Sequence, residues 1–98
     1  MDRCNRNVID VLHADKLMYP GEVLPEHFEC LINLSRIHGK KVTMALESFL
    51  VKGWSRKDIF KTHNISPGYF SLKLNQVRRY NTMIAEILPF YLRLIVIE

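Results

Sequence analysis

Cysteine is scarce here: Cys4 and Cys30 are the two thiols of a 98-residue chain, and neither a Cys-x-x-Cys pair nor a Cys/His cluster accompanies them. That leaves no framework for a structural metal. Cys30 has Phe28, Leu31 and Ile32 beside it and reads as a small buried apolar side chain. His13, His27, His38 and His63 are 14, 11 and 25 residues apart, so no His-x-x-x-His pair exists and no metal site is expected. Glu26 and His27 have neither a nucleophile motif nor a Gly-rich phosphate loop near them, so neither an enzyme nor a cofactor is expected. No leader of charged then apolar residues opens the chain at Met1-Asp-Arg-Cys-Asn-Arg-Asn. The apolar run Leu88 to Ile97 is interrupted by Pro89 and Arg93, and its ten residues are about half a bilayer span. The expectation is a soluble protein of the reducing cytoplasm.

Glycine and proline number four each, and nowhere do they gather into a linker; internal repeats and low-complexity tracts are also lacking. One domain over 1–98 is expected, with residues 1–18 a divergent N-terminal segment and 88–98 an apolar C-terminal tail suited to oligomerisation. The remaining scarcity is acid in one place. Seven of the fourteen basic residues but one of the ten acidic ones lie between Lys52 and Arg79, so that stretch carries +6 and the remainder −2. Such focusing is what a polyanion selects. A solvated face without a partner is the plainer reading of a charge run.

Helical periodicity organises the rest. Val8, Ile9, Val11 and Leu12 suggest a short N-terminal helix, closed by a type II turn at Tyr19-Pro20-Gly21. Pro25 opens a helix whose Phe28, Leu31, Ile32 and Ser35 share a face, and His38-Gly39 marks the break after it. From Lys40 to Lys52, Val42, Ala45, Leu46, Phe49 and Leu50 form the next stripe, with Gly53 as a left-handed stop. Ser55 caps a short third helix with Asp58 at its third position, and His63-Asn64-Ile65 makes a turn in which Asn64 tolerates positive φ. Ser66 then caps a fourth helix, with Pro67 at its first position. It runs through Phe70, Leu74 and Val77 to Tyr80, or on to Leu88, and ends before Pro89. Phe90 to Ile97, rich in β-branched residues, reads as an extended tail. The fold class is all-α, a small helical domain of about five helices with a helix-turn-helix.

In that helix-turn-helix, Ile59, Ile65 and Phe70 supply the apolar triangle that holds two helices together. The geometry turns Tyr69, Ser71, Leu72, Lys73 and Gln76 outward. Arg56, Lys57 and Lys61 sit where a first helix crosses the sugar-phosphate strand, while Arg78 and Arg79 lie beyond the recognition turn and suit the backbone. The amides from Ser66 to Gly68 open a helix and suit a phosphate oxygen. Phe70 belongs to the core, and Trp54, just before a cap, is assigned to structure.

Taken together, Pro20-Gly21, Glu26-His27-Phe28, Ile37-His38, Val42 through Gly53, Ser55-Arg56-Lys57, Gly68-Tyr69-Phe70-Ser71 and Leu88-Pro89-Phe90-Tyr91 resemble the PapB family of bacterial adhesin-biosynthesis transcription regulators. The likeness covers about three quarters of the chain, from Tyr19 to Tyr91. It implies a helix-turn-helix protein that dimerises and oligomerises along double-stranded DNA. It further implies A/T-rich sites near fimbrial promoters, minor-groove contact, and activation or repression set by occupancy. It also makes Arg56 the leading DNA contact. Phe60 stands where relatives carry Cys, and Trp54 replaces His or Tyr; neither change removes a charge.

The expectation is therefore a cytoplasmic, nucleoid-associated regulator of a fimbrial or adhesin operon that binds as a homodimer or homo-oligomer. Arg56, Lys57, Lys61, Ser66, Tyr69, Ser71, Lys73, Gln76, Arg78 and Arg79 would form the DNA surface. Two alternatives use the same residues: an adaptor that docks an acidic partner helix, and a plasmid-control or antitoxin-type repressor with a different operator.

Overall fold

In a computed structural model, which describes residues 17–97, four α-helices follow one tight turn. They are α1 (Pro25–Ser35), α2 (Lys40–Leu50), α3 (Arg56–His63) and α4 (Pro67–Ile97). The N-terminal helix expected at Val8–Leu12, and Cys4, lie outside the described residues. The chain is all-α as expected.

The turn at Tyr19-Pro20-Gly21-Glu22 closes with Glu22 N–H donating to the Tyr19 carbonyl at 3.0 Å, and Gly21 has φ 78°, the conformation a type II corner demands. It performs a second task. Gly21 N–H donates to the Phe49 carbonyl at 3.1 Å and Val23 N–H to the Leu50 carbonyl at 3.0 Å, so the turn satisfies carbonyls that the end of α2 would leave orphaned. Such an approach needs two residues without side chains. A Cβ on Gly21 would stand 3.3 Å from the Cα of Gly53, itself at φ 76°.

α1 begins with Pro25 at its first position and Glu26 in its first turn, and buries Phe28, Leu31, Ile32 and Ser35 as the spacing predicts. It stops two residues earlier than the expected break at His38-Gly39. Arg36 takes the left-handed conformation (φ 57°) and donates its N–H to the Asn33 and Ile32 carbonyls. Cys30 corrects a second expectation: it is exposed. At about 100° per residue, position 30 lies some 200° around the helix from Phe28, so sequence neighbours are not face neighbours. α2 buries the predicted Val42, Ala45, Leu46, Phe49 and Leu50, together with Ser48.

The extended tail expected from Phe90 to Ile97 is instead helix. α4 continues for 31 residues with Pro89 inside it. A lone β-branched segment has no strand to pair with, whereas a helix satisfies its main chain internally, at the cost of one hydrogen bond lost to proline. Phe70, Leu74 and Val77 of α4 enter the core, which also takes Met18, Val23, Ile37, Ile59 and Ile65, and Ile84 packs on its edge. Beyond Ile84 the helix leaves the body. Ile87, Leu88, Phe90, Tyr91 and Leu92 are exposed there, Phe90 and Tyr91 at 60% each.

Candidate nucleic-acid interface

Three local caps build the two-helix unit. Ser55 Oγ accepts from Asp58 N–H at 3.2 Å and starts α3. Asn64, at φ 52°, ends it in the left-handed conformation. Ser66 Oγ then accepts from Tyr69 N–H at 3.3 Å and starts α4. Between these caps Ile59, Ile65 and Phe70 are buried, as the apolar triangle requires. An N-cap of this kind contributes about 1 kcal/mol, so two of them go far toward setting a turn this short.

Aromatic rings carry the geometry inward. Phe70 meets Phe49 at 5.5 Å (interplanar angle 85°) and Phe60 at 5.5 Å (77°), both edge to face. The Arg56 guanidinium lies over this cluster, its carbon 4.9 Å from the Phe49 ring centre and 5.5 Å from that of Phe70. Trp54 stacks on His63 with centres 5.8 Å apart, and His63 Nε2 is 3.0 Å from Ser48 Oγ, which ties both ends of α3 to α2. This is the structural role expected of Trp54.

The remaining candidates divide into two groups. Arg56, Lys57, Lys61, Ser66, Tyr69 and Arg79 are exposed, and Ser71 and Lys73 are half-buried. The Lys73 ammonium is 5.6 Å from the Tyr69 ring centre. Arg56 and Lys73 thus rest on consecutive aromatic residues of α4. Gln76 differs from the outward placement that spacing suggested, and Arg78, expected to hold the DNA backbone, also has a partner within the protein. The Gln76 amide donates to the Ser35 carbonyl at 2.8 Å, and the Arg78 guanidinium donates to the Met18 carbonyl at 3.4 Å. Both are half-buried and span 41 and 60 residues of sequence, so Gln76 ties α4 to the end of α1 and Arg78 ties it to the segment before the first turn.

Lys41 lies outside the basic stretch, yet the structure brings it to the same corner. Its Nζ donates to the Asn64 carbonyl at 3.2 Å. Lys41, Asn64, Ser66 and Tyr69 together line one open cleft. A sequence signal existed: α2 begins with two lysines, where a helix ordinarily favours acids. Among the described residues no three of His, Cys, Asp and Glu stand close enough to hold a metal ion, and no helix is long and apolar enough to cross a membrane.

Comparison with known proteins places this geometry among regulators. The family profile described as PapB, adhesin biosynthesis transcription regulatory protein, matches residues 1–91, and so reaches the first eighteen residues that the sequence motifs left unmatched. The chain is 35% identical over 77 residues to the major pilus subunit operon regulatory protein PapB of Escherichia coli, covering 79% of this chain and 74% of that one. It is 37% identical over 71 residues to the F1845 adhesin operon regulatory protein of E. coli, covering 72% and 84%. The crystal structure of E. coli FocB superposes with a TM-score of 0.72 at 33% identity, over 85% of this chain and 96% of that one.

Proposed function

Since the chain belongs to the PapB family of adhesin biosynthesis transcription regulatory proteins, we propose that it regulates a fimbrial or adhesin operon by binding double-stranded DNA at A/T-rich promoter-region sites. One observation carries the DNA reading: a two-helix unit, fixed by caps at Ser55, Asn64 and Ser66, lies in the stretch from Lys52 to Arg79 whose +6 exceeds the +4 of the whole chain. Arg56, Lys57 and Lys61 of α3 clamp phosphates. Tyr69, Ser71 and Lys73 of α4 face the bases, and the Gly68 N–H, in the first turn after Pro67, donates to a phosphate oxygen. Arg79 holds backbone. Gln76 and Arg78 set the angle at which α4 leaves the body, through the carbonyls of Ser35 and Met18. The protein works in the cytoplasm on the nucleoid, as a homodimer or larger homo-oligomer joined through the exposed apolar end of α4.

Retardation of an A/T-rich promoter duplex, set against a scrambled G/C-rich duplex over a salt series, tests this. Preferential binding that weakens steeply with salt is expected, because each neutralised phosphate contributes about 0.9 to the slope of log K against log salt. An A/T-rich duplex left unshifted at low ionic strength would sink the reading.

A further inference from the structure

The basic surface is wider than the stretch from Lys52 to Arg79. α2 opens with Lys40 and Lys41, both exposed, at the end of a helix where the peptide dipole disfavours a cation. No acid shares that turn, and Gly39 supplies no side-chain cap. Helix stability therefore gives no reason for two lysines there. A local rule broken without a folding gain directs attention to function.

The side chain of Lys41 points the same way. It does not merely extend into solvent but reaches the carbonyl of Asn64, 23 positions away in sequence, at 3.2 Å. Asn64 is the left-handed corner between α3 and α4. The same side chain shares a cleft with Ser66 and Tyr69, residues assigned above to the DNA face. An ammonium group has three N–H donors, and Asn64 occupies one. The bond fixes where the charge sits and leaves donors for a second acceptor. We propose that Lys41 is a DNA-phosphate contact, supplied to the helix-turn-helix surface by the helix that precedes it. The ligand is a phosphodiester oxygen of the strand that passes the corner between α3 and α4. This assignment rests on the DNA-binding reading and extends its footprint to α2.

Fluorescence anisotropy of a labelled A/T-rich duplex, titrated at several potassium chloride concentrations, tests it with wild type, Lys41→Gln and Lys41→Arg. Glutamine keeps an amide donor for the Asn64 carbonyl and removes the charge. The expected result is a salt slope lower by about 0.9 for Lys41→Gln and unchanged for Lys41→Arg. The thermal midpoint of Lys41→Gln should equal or exceed that of wild type, because a cation has left the positive end of a helix. A steep wild-type slope shared unchanged by Lys41→Gln overturns the assignment and leaves DNA binding intact. A slope lost equally in Lys41→Gln and Lys41→Arg marks a structural role and overturns it too. A wild type without salt-dependent binding removes the DNA reading, and this contact with it.

Discussion

Arg56 is not a freely swinging surface cation: two phenylalanine rings lie under its guanidinium. A planar, delocalised cation stacks on rings in a way that a compact ammonium does not, so lysine is a poor substitute here. Arg56→Lys should preserve the charge and still weaken DNA binding about two- to fivefold, since a cation–π contact at an exposed site is worth about 0.5–1 kcal/mol. Phe49→Leu should reproduce most of that loss, and the double variant should be less than additive in an anisotropy titration. Strictly additive losses would show that the rings do not position Arg56. At this scale the sequence reveals composition better than commitment. Phe70 was readable as core because it fills the motif's apolar position. The bonds of Gln76 and Arg78 to Ser35 and Met18 depend on packing across 41 and 60 residues, which no local pattern encodes. Cys30 shows the converse, where apolar sequence neighbours concealed an outward helical angle.

The caps of the two-helix unit were the most readable local features, because capping is local chemistry. Ser55, Asn64 and Ser66 act at the positions their side chains imply, and the stripe from Val42 to Leu50 is the buried face of α2. The end of α4 was not readable. Pro89 and the β-branched residues after it favour extended chain locally, and helix continuation overrides that preference. Glycine permits a sharper test of the element scale. Gly21→Ala meets both a positive φ and the Cα of Gly53 at 3.3 Å, and should cost about 2 kcal/mol in urea unfolding. Gly68→Ala meets nothing within 4 Å in the first turn of α4 and should stabilise by up to about 1 kcal/mol. Effects of the same sign would contradict the role assigned to the turn at Gly21.

The molecule is long for its chain, 49 × 25 × 19 Å, with a radius of gyration of 15.2 Å where a compact domain of this length would have about 13 Å. The excess length reflects α4, whose 31 residues rise about 46 Å. Its far end exposes Met83, Ile87, Leu88, Phe90, Tyr91 and Leu92, apolar side chains spread around much of the helix and disfavoured by water. Multi-angle light scattering at micromolar concentration should therefore give a dimer or larger species. Phe90→Asp should shift it toward monomer with helicity retained. A monomeric wild type would refute assembly through this end.

α4 begins at Ser66's cap beside the proposed DNA face and reaches Met83, Ile87 and Leu88, the near part of its apolar end, without a glycine or proline between Tyr69 and Leu88. The azimuth between those two surfaces is consequently indexed by residue count alone. Each residue gained or lost in that interval would swing one relative to the other by about 100°, like a key recut out of phase with its lock.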